Sequence, residues 1–325
     1  MVRAGMEETV AALLDQSIAE PTRRRYDSAW KKYVTWCSGL GESPLPVTEE
    51  LATCYVVTLA REGLRMETVK YHLAGLRRAQ IIAGLAPPEW GAMARLVMVR
   101  KGLIRVEATG ETEKLKREPV TWRHLEAMKE AWDDESDRGV MLWAAACMCF
   151  FGCLRAGEAL APETGEFDPK AHLGWEDVQL QSAASPKWIR VRIKESKTDR
   201  LRKGAYVRLP RTDKEICPVV AVLQFMIGRK AGPGPFFTGG SGVGLTRREF
   251  VAEVRAALAR RGVSSEGISG HSFRIGAATE AARSGASDEE VKALGRWRSR
   301  EYKGYIRRDE GDQAAAAKRW CKAEK

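Results

Sequence analysis

Tyr305 is preceded in the chain by Arg155, Lys197, His271, Arg274 and the adjacent pair Arg296–Trp297. A phenol, several permanent cations and an imidazole are what an attack on a phosphodiester needs. The phenolate would form a covalent link to phosphorus, and the cations would offset charge growing on the phosphoryl oxygens. A phenol whose pKa is ~10 requires such help at neutral pH. Each residue also has an ordinary reading. Arg155 and Glu158 have the spacing of a helical ion pair, although a carboxylate can also orient a guanidinium that clamps phosphate. His271 and Arg274 share one face of an expected helix start, which suits an anion and equally a cap. Tyr302 is a rival nucleophile with basic neighbours of its own, and either tyrosine could be a packed aromatic.

The stretch 187–211 alternates. Ile189, Val191 and Ile193 interleave with Arg190, Arg192 and Lys194, the period of a half-buried strand. A polar turn and a second strand at about 205–209 complete an expected hairpin, with Lys197 where it turns. Ten basic residues against two acidic ones make this stretch a candidate contact for a DNA backbone. A lysine at the tip could protonate a leaving 5′ oxygen as a general acid. Lys194 and Lys203 compete with Lys197 for that role.

Helices must position the rest. One starts near Thr22 and carries Tyr26, Trp30, Tyr33, Val34 and Cys37 on one stripe. A second opens at Thr48 with Leu51, Tyr55, Val56 and Leu59, and a third covers about 66–84 with Val69, Leu73, Leu76 and Ile81. After Pro87 and Pro88 a fourth spans about 90–104, so a small bundle occupies 1–105. Polar residues 106–118 read as a linker. In the remaining domain, 119–325, Thr121 caps a helix, an apolar helix at 138–150 is core, and helices are expected at 217–229, 246–260, 271–284 and 288–295. Residues 309–325 read as a tail, with a short helix at 312–324.

The bulk properties agree. A chain of 325 residues with 44% hydrophobic and 30% charged residues suits two folded domains. The net charge of +11 favours a polyanionic partner. No apolar run approaches a membrane span and the N-terminus lacks the layout of a signal peptide, so an intracellular protein without a membrane partner is expected. Seven cysteines lack the pairing of a zinc site or a disulfide scaffold.

The order Arg155, Lys197, His271-x-x-Arg274, Arg296 or Trp297, then Tyr305 resembles the catalytic set of the tyrosine recombinase, or lambda-integrase, family. Glu158 matches the acidic residue that members carry three positions after the first arginine. The stretches 197–204 and 295–307 look most like recombinases of Crypton-like or DIRS-like mobile elements. The resemblance implies a mostly α fold with a small β-hairpin or sheet in the catalytic domain, the two-domain DNA breaking–rejoining architecture. It also implies a site-specific recombinase that joins Tyr305 to a 3′ phosphate, with Trp297 donating to the phosphate and Arg296 as the alternate. No metal or other cofactor is called for. The implied partners are double-stranded DNA, a homotetramer on that DNA passing through a four-way junction, and an accessory protein as a candidate. Candidate DNA contacts are Arg23, Arg24, Arg25, Lys31, Lys70, Arg77 and Arg78 in the first domain, and Arg192, Lys194, Arg202, Lys203 and Arg307 in the second. The compartment would be the nucleus in a eukaryote and the cytoplasm for a bacterial or viral protein. A type IB topoisomerase, an inactive DNA-binding derivative and a non-enzymatic basic helical protein are the alternatives.

Overall fold

The computed structural model describes residues 2–109, 117–133, 136–163, 166–196, 199, 203–229, 232–239 and 242–307. The chain divides into two compact units, Met1–Glu113 and Lys114–Lys325. Lys197, Arg202 and the expected tail, 309–325 with its helix at 312–324, lie outside the described residues.

The first unit is helical throughout: α1 (Val2–Gln16), α2 (Glu20–Leu40), α3 (Glu49–Arg61), α4 (Met66–Ile82) and α5 (Ala94–Thr109). Its core gathers the stripes read from the sequence. Tyr33 and Cys37 of α2, Tyr55, Val56 and Leu59 of α3, and Val69, Leu73 and Leu76 of α4 are buried together with Leu96 of α5. Thr48 caps α3 by accepting from the Leu51 amide at 3.2 Å. Four details depart from expectation. The helix α1 carries no strong stripe and was not foreseen. The helix α2 begins before Pro21 rather than after it, because proline needs no hydrogen-bond partner in the first turn. Ile81 is 41% exposed rather than core. Finally, α5 runs to Thr109, into the stretch read as linker.

The second unit holds α6 (Trp122–Ala131), α7 (Asp137–Phe151), the single turn α8 (Ala156–Ala159), α9 (Pro218–Gly228), α10 (Arg247–Arg260), α11 (Ser272–Arg283) and α12 (Asp288–Gly295). A short 3₁₀ turn, Arg300–Gly304, precedes Tyr305. The nearly all-apolar α7 is buried on every side and packs against α9 and α11. Capping boxes at Thr121, Thr246 and Ser287 fix where α6, α10 and α12 begin. The strands β1 (Val178–Leu180), β2 (Trp188–Ile193) and β3 (Ala205–Pro210) form an antiparallel sheet in the order β1-β2-β3. The register pairs Val191 with Val207 and Ile193 with Ala205, so Ile189, Val191, Ile193, Val207 and Leu209 line one buried face. The hairpin was legible by alternation; β1, three residues long, was too short to announce itself.

The entry into this unit is tied directly to α11. The Val120 amide donates to the Ser272 carbonyl at 2.9 Å. A Cβ on Gly276 would stand 2.0 Å from the Val120 carbonyl oxygen, so this crossing requires glycine.

Candidate active site

Arg155 emerges where α7 stops. Cys153 adopts a left-handed backbone, φ 46°, and turns the chain so that Arg155 caps α8. Its Nη1 donates to Glu158 at 2.7 Å, while its own amide donates to the second oxygen of that carboxylate at 3.0 Å. Arg296, also left-handed at φ 56° as the C-cap of α12, donates from Nη2 to Glu158 at 2.6 Å. One nearly buried carboxylate therefore holds two guanidinium groups from opposite ends of the domain sequence.

Arg274 lies on the first turn of α11 and is 1% exposed. Its Nη1 donates to the Cys153 carbonyl at 2.6 Å and its Nη2 to the Gly295 carbonyl. The buried Nε has no hydrogen-bond partner. The guanidinium carbon sits 4.3 Å from the Trp297 ring centre and 5.7 Å from that of Tyr305. Trp297 is buried, its ring pressed against Gly295, where an added Cβ would meet it at 1.7 Å. The indole thus forms a platform under Arg274, while Arg296 turns to Glu158.

His271 and Tyr305 meet across the same cluster, with Nε2 and the phenol oxygen 3.2 Å apart. Burial first, then the charges of Arg117, Arg155 and Arg274, push the imidazole down to about 4 against an opposing pull from Glu158. The ring is therefore neutral near pH 7, and in the tautomer with its proton on Nδ1 its Nε2 accepts the phenol proton. The Thr279 hydroxyl anchors the Tyr305 carbonyl from α11 at 3.3 Å. Tyr302 is 2% exposed and packs into the small cluster with Val291 and Trp297. A hydrogen bond to Asp288 raises its phenol pKa, so it is less suited to ionise. The Cys153 thiol, which faces the Arg274 carbonyl, is raised to about 11 by burial and stays protonated.

Arg155, Glu158 and His271 also line a cleft of about 830 Å³, together with Arg117, Arg247, Arg248, Arg255, Ser269 and the carboxylates Glu163 and Glu195. The sequence reading missed Arg117, Arg247, Arg248 and Arg255. A signal was present, because paired cations in the first turn of α10 oppose its dipole and are placed there at a cost. Glu163 offsets part of it, accepting from the Arg248 amide at 2.8 Å and lying 3.5 Å from Arg247.

The candidate DNA contacts separate into tied and open groups. Arg23 and Arg24 pair with Glu20, Arg78 with Asp15 and Asp27, and Lys70 with Glu67. Arg77 donates to the Pro88 carbonyl and Arg25 lies 5.8 Å from the Tyr71 ring centre. Lys31, Arg192 and Lys203 are exposed, and Arg307 donates to the Gly304 carbonyl. Lys194 requires a correction. Its side chain is 8% exposed, with the ammonium 2.5 Å from Asp177 and 2.9 Å from Glu176. Burial alone would lower its pKa, but the two carboxylates outweigh it and raise it. Lys194 is a structural ion pair rather than a backbone contact or a rival to Lys197.

No protein-family model matches the chain, and no curated protein matches it in sequence. Solved structures do match in fold. A XerH site-specific recombinase bound to its palindromic difH substrate superposes with a TM-score of 0.58 at 17% identity, over 85% of this chain and 73% of that one. A lambda integrase dimer bound to a COC′ core site gives 0.55 at 18%, over 91% and 94%. The integrase of the Tn1549 transposon, in complex with transposon right-end DNA, gives 0.54 at 14%, over 91% and 98%. The fold is that of the tyrosine recombinases. Its two-domain architecture is mostly helical with one small antiparallel sheet, and the sequence reading of the fold class agrees with it. No helix among the described residues is long and apolar enough to cross a membrane.

Proposed function

We propose that this protein is a site-specific DNA recombinase that cleaves and rejoins strands through a 3′-phosphotyrosyl intermediate on Tyr305. The observation that carries the reading is the 3.2 Å approach of a neutral His271 to the Tyr305 phenol beside Arg155, Arg274 and Arg296. In the proposed step His271 takes the phenol proton and the phenolate oxygen attacks phosphorus. Arg155 and Arg274 hold the non-bridging oxygens, and the unpartnered Nε of Arg274 is a donor still to be satisfied. Lys197 protonates the departing 5′ oxygen. The phosphotyrosine retains the bond energy, so the 5′ hydroxyl of a partner strand reverses the step without a nucleotide cofactor or a metal. Exchange between two duplexes takes four such sites, hence a homotetramer on double-stranded DNA passing through a four-way junction. The relatives in fold that carry DNA in their structures support that partner. The resemblance of 197–204 and 295–307 to Crypton-like or DIRS-like enzymes supports a mobile-element origin, with an accessory protein as a candidate partner.

The test is covalent capture. The protein is incubated with duplex DNA from a random or element-flanking pool, denatured in detergent, and assayed for DNA that stays attached. Wild type and Tyr302→Phe should retain DNA, whereas Tyr305→Phe should not. An adduct that survives in Tyr305→Phe, or none from a wild type that binds DNA, overturns the proposal.

A further inference from the structure

The alternation that buries one face of the sheet leaves the other half-buried to exposed, with Arg190 donating to Gln179, and gives it an unusual composition. Trp188, Arg190 and Arg192 of β2 point outward, and the register sets Arg190 opposite Arg208 and Arg192 opposite Tyr206 on β3. No residue of the three strands is acidic. The guanidinium carbon of Arg190 lies 4.9 Å from the Tyr206 ring centre, and that of Arg208 lies 5.1 Å from the Trp188 ring centre. Cations and rings therefore interleave diagonally across both strands. Tyr206 is 60% exposed, which is an uncommon state for a large aromatic that serves only packing.

The hairpin end of the sheet lies near the site: Ile193 and Ala205, which belong to the opposite face, line a small hollow with Gly204, Asp199, Arg296 and Arg298. From there the ladder runs outward through Arg192 and Tyr206 to Trp188 and Pro210, a track of about 17 Å at ~3.4 Å per residue.

We propose that this outward face binds an unpaired DNA strand. Arginines at alternate positions suit a phosphate backbone, and the exposed ring offers a stacking surface to a base. A duplex hides the faces of its bases, so an exposed tyrosine among the arginines favours a single strand over a double helix. Within the proposed function, on which this role rests, the occupant is the strand whose 5′ hydroxyl Tyr305 has released, held beside the site until it is exchanged. The binding itself does not depend on the nucleophile.

Fluorescence anisotropy of a labelled mixed-sequence single strand, and of the duplex it forms with its complement, tests the surface. Tyr206→Ala should weaken single-strand binding about tenfold, the scale of one lost base stack, and leave duplex binding within about twofold. Tyr206→Phe, which keeps the ring, should bind as wild type. Arg208→Ala should lower the salt slope for the single strand by about 0.7. Tyr305→Phe should bind the single strand normally, so failure of the covalent reading and failure of this one are separable. Unchanged single-strand affinity in Tyr206→Ala overturns the proposal. So does a parallel loss for duplex, which would make the face a double-helix contact. Displacement of the single strand by polyglutamate as readily as by unlabelled strand would assign it to an acidic polypeptide.

Discussion

Arg296 donates to the Glu158 carboxylate at 2.6 Å, and the partner oxygen of that carboxylate accepts from Arg155 at 2.7 Å. The two guanidinium groups are 141 residues apart in sequence and share one anion that is 5% exposed. Remove its charge and two cations are left side by side in a poorly hydrated pocket. Glu158→Ala should cost about 3 kcal/mol of stability, the usual scale for breaking a buried ionic network. Glu158→Gln, which keeps one acceptor, should cost less. Urea unfolding of the three proteins measures the difference.

His271 gives a pH signature with a definite sign. Its folded pKa of about 4 lies below the ordinary value near ~6.5, so on acidification the unfolded chain takes up the proton first. The stability associated with the neutral ring is present above pH ~6.5 and is lost as the pH falls towards 4, by up to ~1.4 kcal/mol per pH unit. Urea unfolding of wild type and His271→Asn between pH 4.5 and 7 should converge on the acid side. Covalent capture by wild type should persist at pH 6, where an ordinary histidine would already be largely protonated.

Gly295 sets the position of the Trp297 platform. A Cβ there would overlap the indole, and the indole carries the Arg274 guanidinium. Gly295→Ala should displace the ring, alter tryptophan fluorescence and reduce adduct formation at least tenfold. Gly157→Ala, where a Cβ meets open space, serves as the control for global folding.

Lys194 should behave as a structural residue. Lys194→Met leaves the buried Asp177 carboxylate without its counter-charge and should destabilise the fold by about 3–5 kcal/mol. Thermal unfolding reports it directly. The exposed Arg192 predicts the opposite phenotype: Arg192→Ala should unfold like wild type and show a shallower salt dependence of DNA binding.

Much of this protein was legible in its sequence because the signals are local. Alternation along 188–193 reports a strand with one buried face, and the stripe through Tyr33, Cys37, Tyr55, Leu59, Val69 and Leu73 reports helices with one buried side. Thr48 and Thr121 announced helix starts through capping geometry that spans only three or four residues. Residue types and order alone supplied the candidates Arg155, His271, Arg274 and Tyr305.

Tertiary structure decided what those side chains face, which sequence spacing does not encode. Lys194 alternates with apolar neighbours like any surface lysine, yet the turn ahead of β1 brings Glu176 and Asp177 onto it. Tyr302 and Tyr305 are three residues apart with similar neighbours. The 3₁₀ turn buries one against Asp288 and aims the other at His271. Distance along the chain pointed to Arg296 and chemistry to Trp297, and a left-handed cap on α12 sent the first to Glu158 and the second beneath Arg274. In each case the deciding partner comes from another element. The free energy of the contact depends on separation and burial in space, and these exist only once the core has assembled.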